Sequence, residues 1–85
     1  MPLVSGRVVD REGRPVAGAR VFFSSGPAAW QDIALVTGDD GSYTMAAPSE
    51  GNYEITTIAD ELGTAKAAID VRHNGVSDVE LRLGD

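Results

Sequence analysis

Few residues in this chain have the type and spacing to do chemistry. The single His73 is the one side chain that could serve as a general base near neutral pH. A nucleophile–histidine–acid site would need a Ser or Thr beside it and a carboxylate behind it. His73 stands immediately before Asn74-Gly75, a turn signal, so the expectation is an exposed turn residue rather than a base. Paired carboxylates can divide acid and base roles, as in glycoside hydrolysis. The adjacent acids are Asp39-Asp40 and Asp60-Glu61, both in predicted turns, where neighbouring side chains diverge into solvent. Asp39-Asp40-Gly41-Ser42 lacks the regularly spaced oxygens of a calcium-binding loop. The chain has no cysteine, which excludes disulfides, thiol catalysis and Cys-based zinc or iron–sulfur sites, and one histidine cannot build a His-cluster metal site. The expectation is therefore no catalytic residues, no cofactor and no metal.

The remaining candidates are contact residues. Trp30 falls in Ser25-Gly26-Pro27-Ala28-Ala29-Trp30, a loop after a predicted strand, where an indole can stack on a sugar ring, anchor a protein partner or fold back over the core. Phe22 and Ile58 lie on the otherwise polar parity of their strands, and with Val9 they would form a modest apolar patch for a neighbouring domain.

The elements that position these residues are strands. Ten glycines and four prolines punctuate 85 residues and leave segments too short for helices. Seven segments alternate apolar and polar residues with period two: Leu3–Asp10, Gly18–Ser24, Gln31–Thr37, Ser42–Ala46, Asn52–Ile58, Thr64–Arg72 and Val76–Leu83. Their dry faces carry Val4 and Val8; Val21 and Phe23; Ile33, Leu35 and Thr37; Tyr43 and Met45; Tyr53 and Ile55; Ala67, Ile69 and Val71; and Val79, Leu81 and Leu83. One wet and one dry face per strand predicts antiparallel sheets packed over a single core. Between them, Asp39-Asp40-Gly41 reads as a tight turn and Ala47–Gly51 as a crossover loop. Asn74-Gly75 reads as a type I′ hairpin turn with both φ angles positive. Gly6 is the expected place for Phe23 or Tyr53 to pack on the first strand.

Thirteen acidic against seven basic residues give a net charge of −6. An acidic chain without a basic stripe predicts no nucleic-acid partner, and no apolar run is long enough for membrane insertion. No basic-then-apolar leader opens the sequence, so no signal peptide is expected in this chain. Residues 1–85 read as a single domain, either a small protein or a module of a longer parent, and a monomer or weak dimer formed through sheet edges.

Val4-Ser5-Gly6-Arg7-Val8-Val9-Asp10, followed by Gly13 and Pro15-Val16-Ala17-Gly18-Ala19-Arg20-Val21, resembles the opening of the carboxypeptidase regulatory-like domain family. Thr37, Gly41 and Tyr43 match its second signature, and Gly51, Tyr53 and Ile55 its third. Gly38 stands where the family often has an acid, so Asp39 or Asp40 must supply the turn hydrogen bonds. Asp60-Glu61-Leu62-Gly63 replaces a Gly-aromatic pair. The resemblance implies a seven-stranded Greek-key β-sandwich, transthyretin-like with immunoglobulin-like architecture. It also implies a non-catalytic accessory, interaction or spacer module of an exported, periplasmic or cell-surface bacterial protein, whose partner is a neighbouring domain or protein. The alternative is a carbohydrate- or small-ligand-binding module using the Trp30 loop. Transthyretin-like folds also include a hydrolase of a purine-breakdown product, which relies on several histidines and a Tyr-Arg-Gly-Ser tail. This chain has one histidine and ends Leu83-Gly84-Asp85, so it departs from that pattern.

Overall fold

The computed structural model describes residues 2–27 and 34–84. Seven strands run β1 (Leu3–Val9), β2 (Arg20–Ser25), β3 (Leu35–Val36), β4 (Ser42–Ala46), β5 (Gly51–Ala59), β6 (Gly63–Val71) and β7 (Val76–Arg82). They form a three-stranded sheet in the order β4-β1-β7 and a four-stranded sheet in the order β3-β2-β5-β6, facing each other as a sandwich. No helix of the described residues is long and apolar enough to cross a membrane.

Alternation predicts the interior well. Val4, Val8, Val21, Phe23, Tyr43, Met45, Tyr53, Ile55, Val71, Leu81 and Leu83 are all buried in one cluster. The Phe23 and Tyr53 rings meet at 4.7 Å between centroids, tilted by 43°, a favourable aromatic geometry. The Tyr53 hydroxyl leaves that core to close the β4–β5 crossover: it donates to the Ser49 carbonyl (2.7 Å) and accepts from the Ser49 amide (3.2 Å).

Several expectations need correction. Every strand pair is antiparallel except β1 and β7, which run parallel. Alternation fixes which face a residue takes but not the direction of its neighbour. Parallel neighbours need a long connection, and here five strands intervene between the first and the last. Asn74-Gly75 is not a type I′ hairpin. It ends a turn in which the Gly75 amide donates to the Arg72 carbonyl (2.8 Å), and Gly75 alone of the pair has positive φ. That turn carries the chain from one sheet to the other, and a Cβ at Gly75 would sit 2.3 Å from the Leu3 carbonyl oxygen. Val9 is buried rather than part of a surface patch, and it lies in the opposite sheet from Phe22 and Ile58. The third strand covers only Leu35–Val36 of the predicted Gln31–Thr37; Ala34 and Thr37 fall outside the strand, and residues 31–33 lie outside the described residues.

The Thr of the second signature proves to be a buried joint. Thr37 is 5% exposed. Its hydroxyl donates to the Val16 carbonyl (2.7 Å) and accepts from the Ala19 amide (3.0 Å). Its backbone amide donates to Ala19 O (2.9 Å), and its carbonyl accepts from Gly18 N (3.1 Å). One residue therefore satisfies the backbone of the loop that carries the chain from β1 to β2. Thr37→Val keeps the shape and orphans a buried amide and a buried carbonyl, so it is expected to cost about 2–4 kcal/mol, whereas Thr37→Ser should cost less than half as much. Urea denaturation of the two variants beside wild type measures both.

Candidate functional site

Two surfaces gather side chains with chemical potential, one on the outer face of each sheet.

On the four-stranded sheet, β2 pairs with β5 in register from Arg20 to Phe23, before a shift at Ser25, and β5 pairs with β6 throughout, placing Phe22 opposite Thr56 and Thr56 opposite Lys66. The next row runs Val36, Arg20, Ile58 and Thr64. Phe22 and Ile58 are thus diagonal neighbours on one face, where side chains reach one another. Both are half-buried, while Val36 at the end of the row is 63% exposed. Some of the polar groups around them bond to one another. The Ser24 hydroxyl lies 2.7 Å from Glu54 Oε1 and 2.6 Å from Thr56 Oγ1, and Arg20 approaches Asp60 at 3.6 Å. Sequence parity puts Phe22 and Ile58 on the outward face of their strands, and the β2–β5 register sets them diagonally. Trp30 lies outside the described residues.

On the three-stranded sheet, Ser5, Gly6 and Arg7 of β1, Ser42, Tyr43 and Thr44 of β4, and Asp78 and Glu80 of β7 line a shallow cleft of about 470 Å³. Sequence reasoning missed it because most of its parts are ordinary wet-face residues and Tyr43 reads as core. Only the parallel β1–β7 register sets Glu80 beside Arg7. The cleft is built on a backbone irregularity. Between Val4↔Val76 and Gly6↔Val79, β7 carries one more residue than β1, and Asp78 in that bulge has φ +61°. The bulge presses the Val79 backbone onto Gly6: a Cβ there would lie 1.8 Å from the Val79 carbonyl oxygen. The close neighbour of Gly6 is therefore the last strand's backbone, not Phe23 or Tyr53. Tyr43, the cross-strand partner of Gly6, donates its hydroxyl to that same carbonyl at 2.8 Å. Burial pushes the Tyr43 phenol up to about 12, so near neutral pH it is a fixed donor and not a base.

The acids and the histidine do not converge. His73, Asp39, Asp40, Asp60 and Glu61 are all exposed. Asp40 accepts from the Ser42 hydroxyl (2.6 Å) and amide (3.0 Å), which holds its carboxyl below the usual range and supplies the turn bonds that Gly38 cannot. Asp10 is lowered chiefly by the Arg14 amide (2.9 Å), in the turn after β1. Among the described residues, no group of three or more His, Asp or Glu side chains is placed to hold a metal ion. What both faces offer is contact: hydroxyls, charges and two apolar side chains on a fixed frame.

The family model of the carboxypeptidase regulatory-like domain matches residues 3–84. The chain belongs to that family. Its members are generally non-catalytic accessory modules. No curated protein matches the chain. Within this carboxypeptidase regulatory-like domain the signature residues have structural tasks: Thr37 ties a loop, Tyr43 caps a part-buried carbonyl and Tyr53 closes a crossover.

The Tyr43 phenol gives a measurable consequence. Its folded value near 12 exceeds the unfolded value near 10, so the unfolded chain loses its proton first. This contribution to stability is complete below pH 10 and lost as pH rises through 12, by roughly 2–3 kcal/mol. Denaturant midpoints measured from pH 9 to 12.5 should fall for wild type over that window, and Tyr43→Phe should remove this part of the fall.

Proposed function

We propose that this carboxypeptidase regulatory-like domain is a non-catalytic docking or spacer module of an exported or cell-surface protein, and that it meets a neighbouring protein domain through the Phe22–Ile58 face. Family membership supports the accessory role. The observation that carries the contact surface is the diagonal placement of Phe22 and Ile58 on an outward face beside Ser24, Glu54 and Thr56, which already bond to one another. Aromatic and aliphatic anchors inside a polar rim are the residues that dominate binding energy at protein interfaces. The acids bond to nearby amides, hydroxyls or arginines in exposed turns, where they favour solubility over chemistry.

The test is binding of the isolated domain to the domain encoded beside it in the parent gene, measured by calorimetry. The double variant Phe22→Ser, Ile58→Thr should weaken binding at least tenfold with its melting temperature shifted by only a few degrees. Unchanged affinity would refute the contact surface. A shift of Trp30 fluorescence on adding soluble glycans, without binding to the neighbouring domain, would establish the carbohydrate alternative instead.

A further inference from the structure

The four sheet edges are not alike. β3 is two residues long and β4 five, too short to template much pairing. β7 is interrupted by its bulge at Asp78. Short and bulged edges resist pairing with other chains. β6 has neither protection. It runs nine residues, from Gly63 to Val71, in unbroken register with β5, and no other strand of the described residues pairs with its outer edge. The three-stranded sheet also leaves its inner face incompletely covered, so Ala65, Ala67 and Ile69 stay half-buried at the rim of the core.

A lysine on an edge ordinarily blunts it. Lys66, the chain's only lysine, has no acid within ion-pair distance among the described residues. Four residues along the same wet face stands Asp70, which pairs with Arg72 at 2.8 Å. That spacing is self-complementary. If two β6 strands run antiparallel about a two-fold axis at Ala68, Lys66 of each falls opposite Asp70 of the other, twice over. On the inner face, Ala67 then meets Ile69, and Ala65 meets Val71. Moving the axis to Lys66 or to Asp70 sets like charges opposite each other, and moving it to Ile69 sets Lys66 against Arg72. Opposite charges directly across a ladder stabilise pairing, and like charges oppose it. A same-face pairing also continues the inner face across the axis, extending the sheet from four strands to eight.

We infer that the outer edge of β6 is a self-association surface: a second copy of this chain pairs with it antiparallel, in the register centred on Ala68, with Lys66 against the partner's Asp70 as the register key. The association is weak, because a single edge pairing buries little area and each chain carries a net charge of −6. It is independent of the Phe22–Ile58 contact and stands or falls separately.

The absence of native cysteine makes the register directly readable. Directly opposed residues in a ladder lie within disulfide reach. Ala68→Cys should therefore crosslink to a covalent dimer under mild oxidation, whereas Thr64→Cys, on the same face but opposite position 72, should not. Sedimentation equilibrium up to millimolar protein should show a dimer. Lys66→Asp should weaken it about tenfold, and the swap Lys66→Asp, Asp70→Lys should restore it. Circular dichroism of each variant confirms the fold. A wild-type chain that stays monomeric at millimolar concentration would overturn the inference. So would equal crosslinking at positions 64 and 68, or a Lys66→Asp chain that associates as wild type does.

Discussion

The sandwich depends on one close approach, the backbone of Val79 laid against Gly6. Only a residue without a Cβ allows it, since that atom would lie 1.8 Å from the Val79 carbonyl oxygen. The approach lets the last strand settle parallel to the first despite an extra residue on its own side. It also leaves a part-buried carbonyl that needs a donor, since an unpaired carbonyl withdrawn from water costs stability. Tyr43 reaches across β1 to supply that donor. Glycine, bulge and tyrosine therefore form one unit, in which each member removes a cost created by another.

Much of the surface follows from that unit. Docking β7 on β1 completes a sheet of only three strands, set against a sheet of four. The mismatch leaves the inner side of β6 partly uncovered, and the bulge that seats β7 also spoils β7 as a pairing edge. The same register brings Arg7 beside Glu80 and opens the shallow polar cleft on the outer face. A fold of this kind offers rigid faces and edges rather than a pocket in which acids and bases meet. Its charged groups bond locally: Asp10 to the amides of the turn after β1, Asp40 to Ser42, Asp70 to Arg72. Such exposed pairs add little to stability and leave the interior to hydrophobic packing.

The sequence made the faces legible and left the partners hidden. Period-two alternation assigns Tyr43, Tyr53, Ile55 and Leu81 to the interior because the pleat admits one outcome per residue. It assigns Phe22 and Ile58 to the outer face by the same rule. It does not report which strands lie side by side, so the parallel β1–β7 pair, the cleft it makes and the unprotected edge of β6 were out of reach. Asn74-Gly75 shows the limit for turns. The dipeptide marks a reversal reliably, but whether the strands beyond it pair or part to different sheets is settled by packing far from the turn. Val9 misled because a strand's last residue can leave the pleat: its carbonyl accepts from the Leu83 amide (2.8 Å), which covers it. Asp78 gave no signal at all, since aspartate at positive φ is uncommon and nothing in Ser77-Asp78-Val79 marks a bulge.

The most direct measurement is the unfolding free energy of Gly6→Ala beside Gly38→Ala, by urea denaturation. Gly38 has ordinary backbone geometry, and an added Cβ there would meet its nearest atom at 3.7 Å, an unstrained contact. The account predicts a loss of more than about 3 kcal/mol for Gly6→Ala, with faster amide exchange at Leu83, which bonds to Val9, and a change within about 0.5 kcal/mol for Gly38→Ala. A Gly6→Ala chain as stable as wild type would show that the last strand does not rest on Gly6, and would contradict the account of how the three-stranded sheet is built.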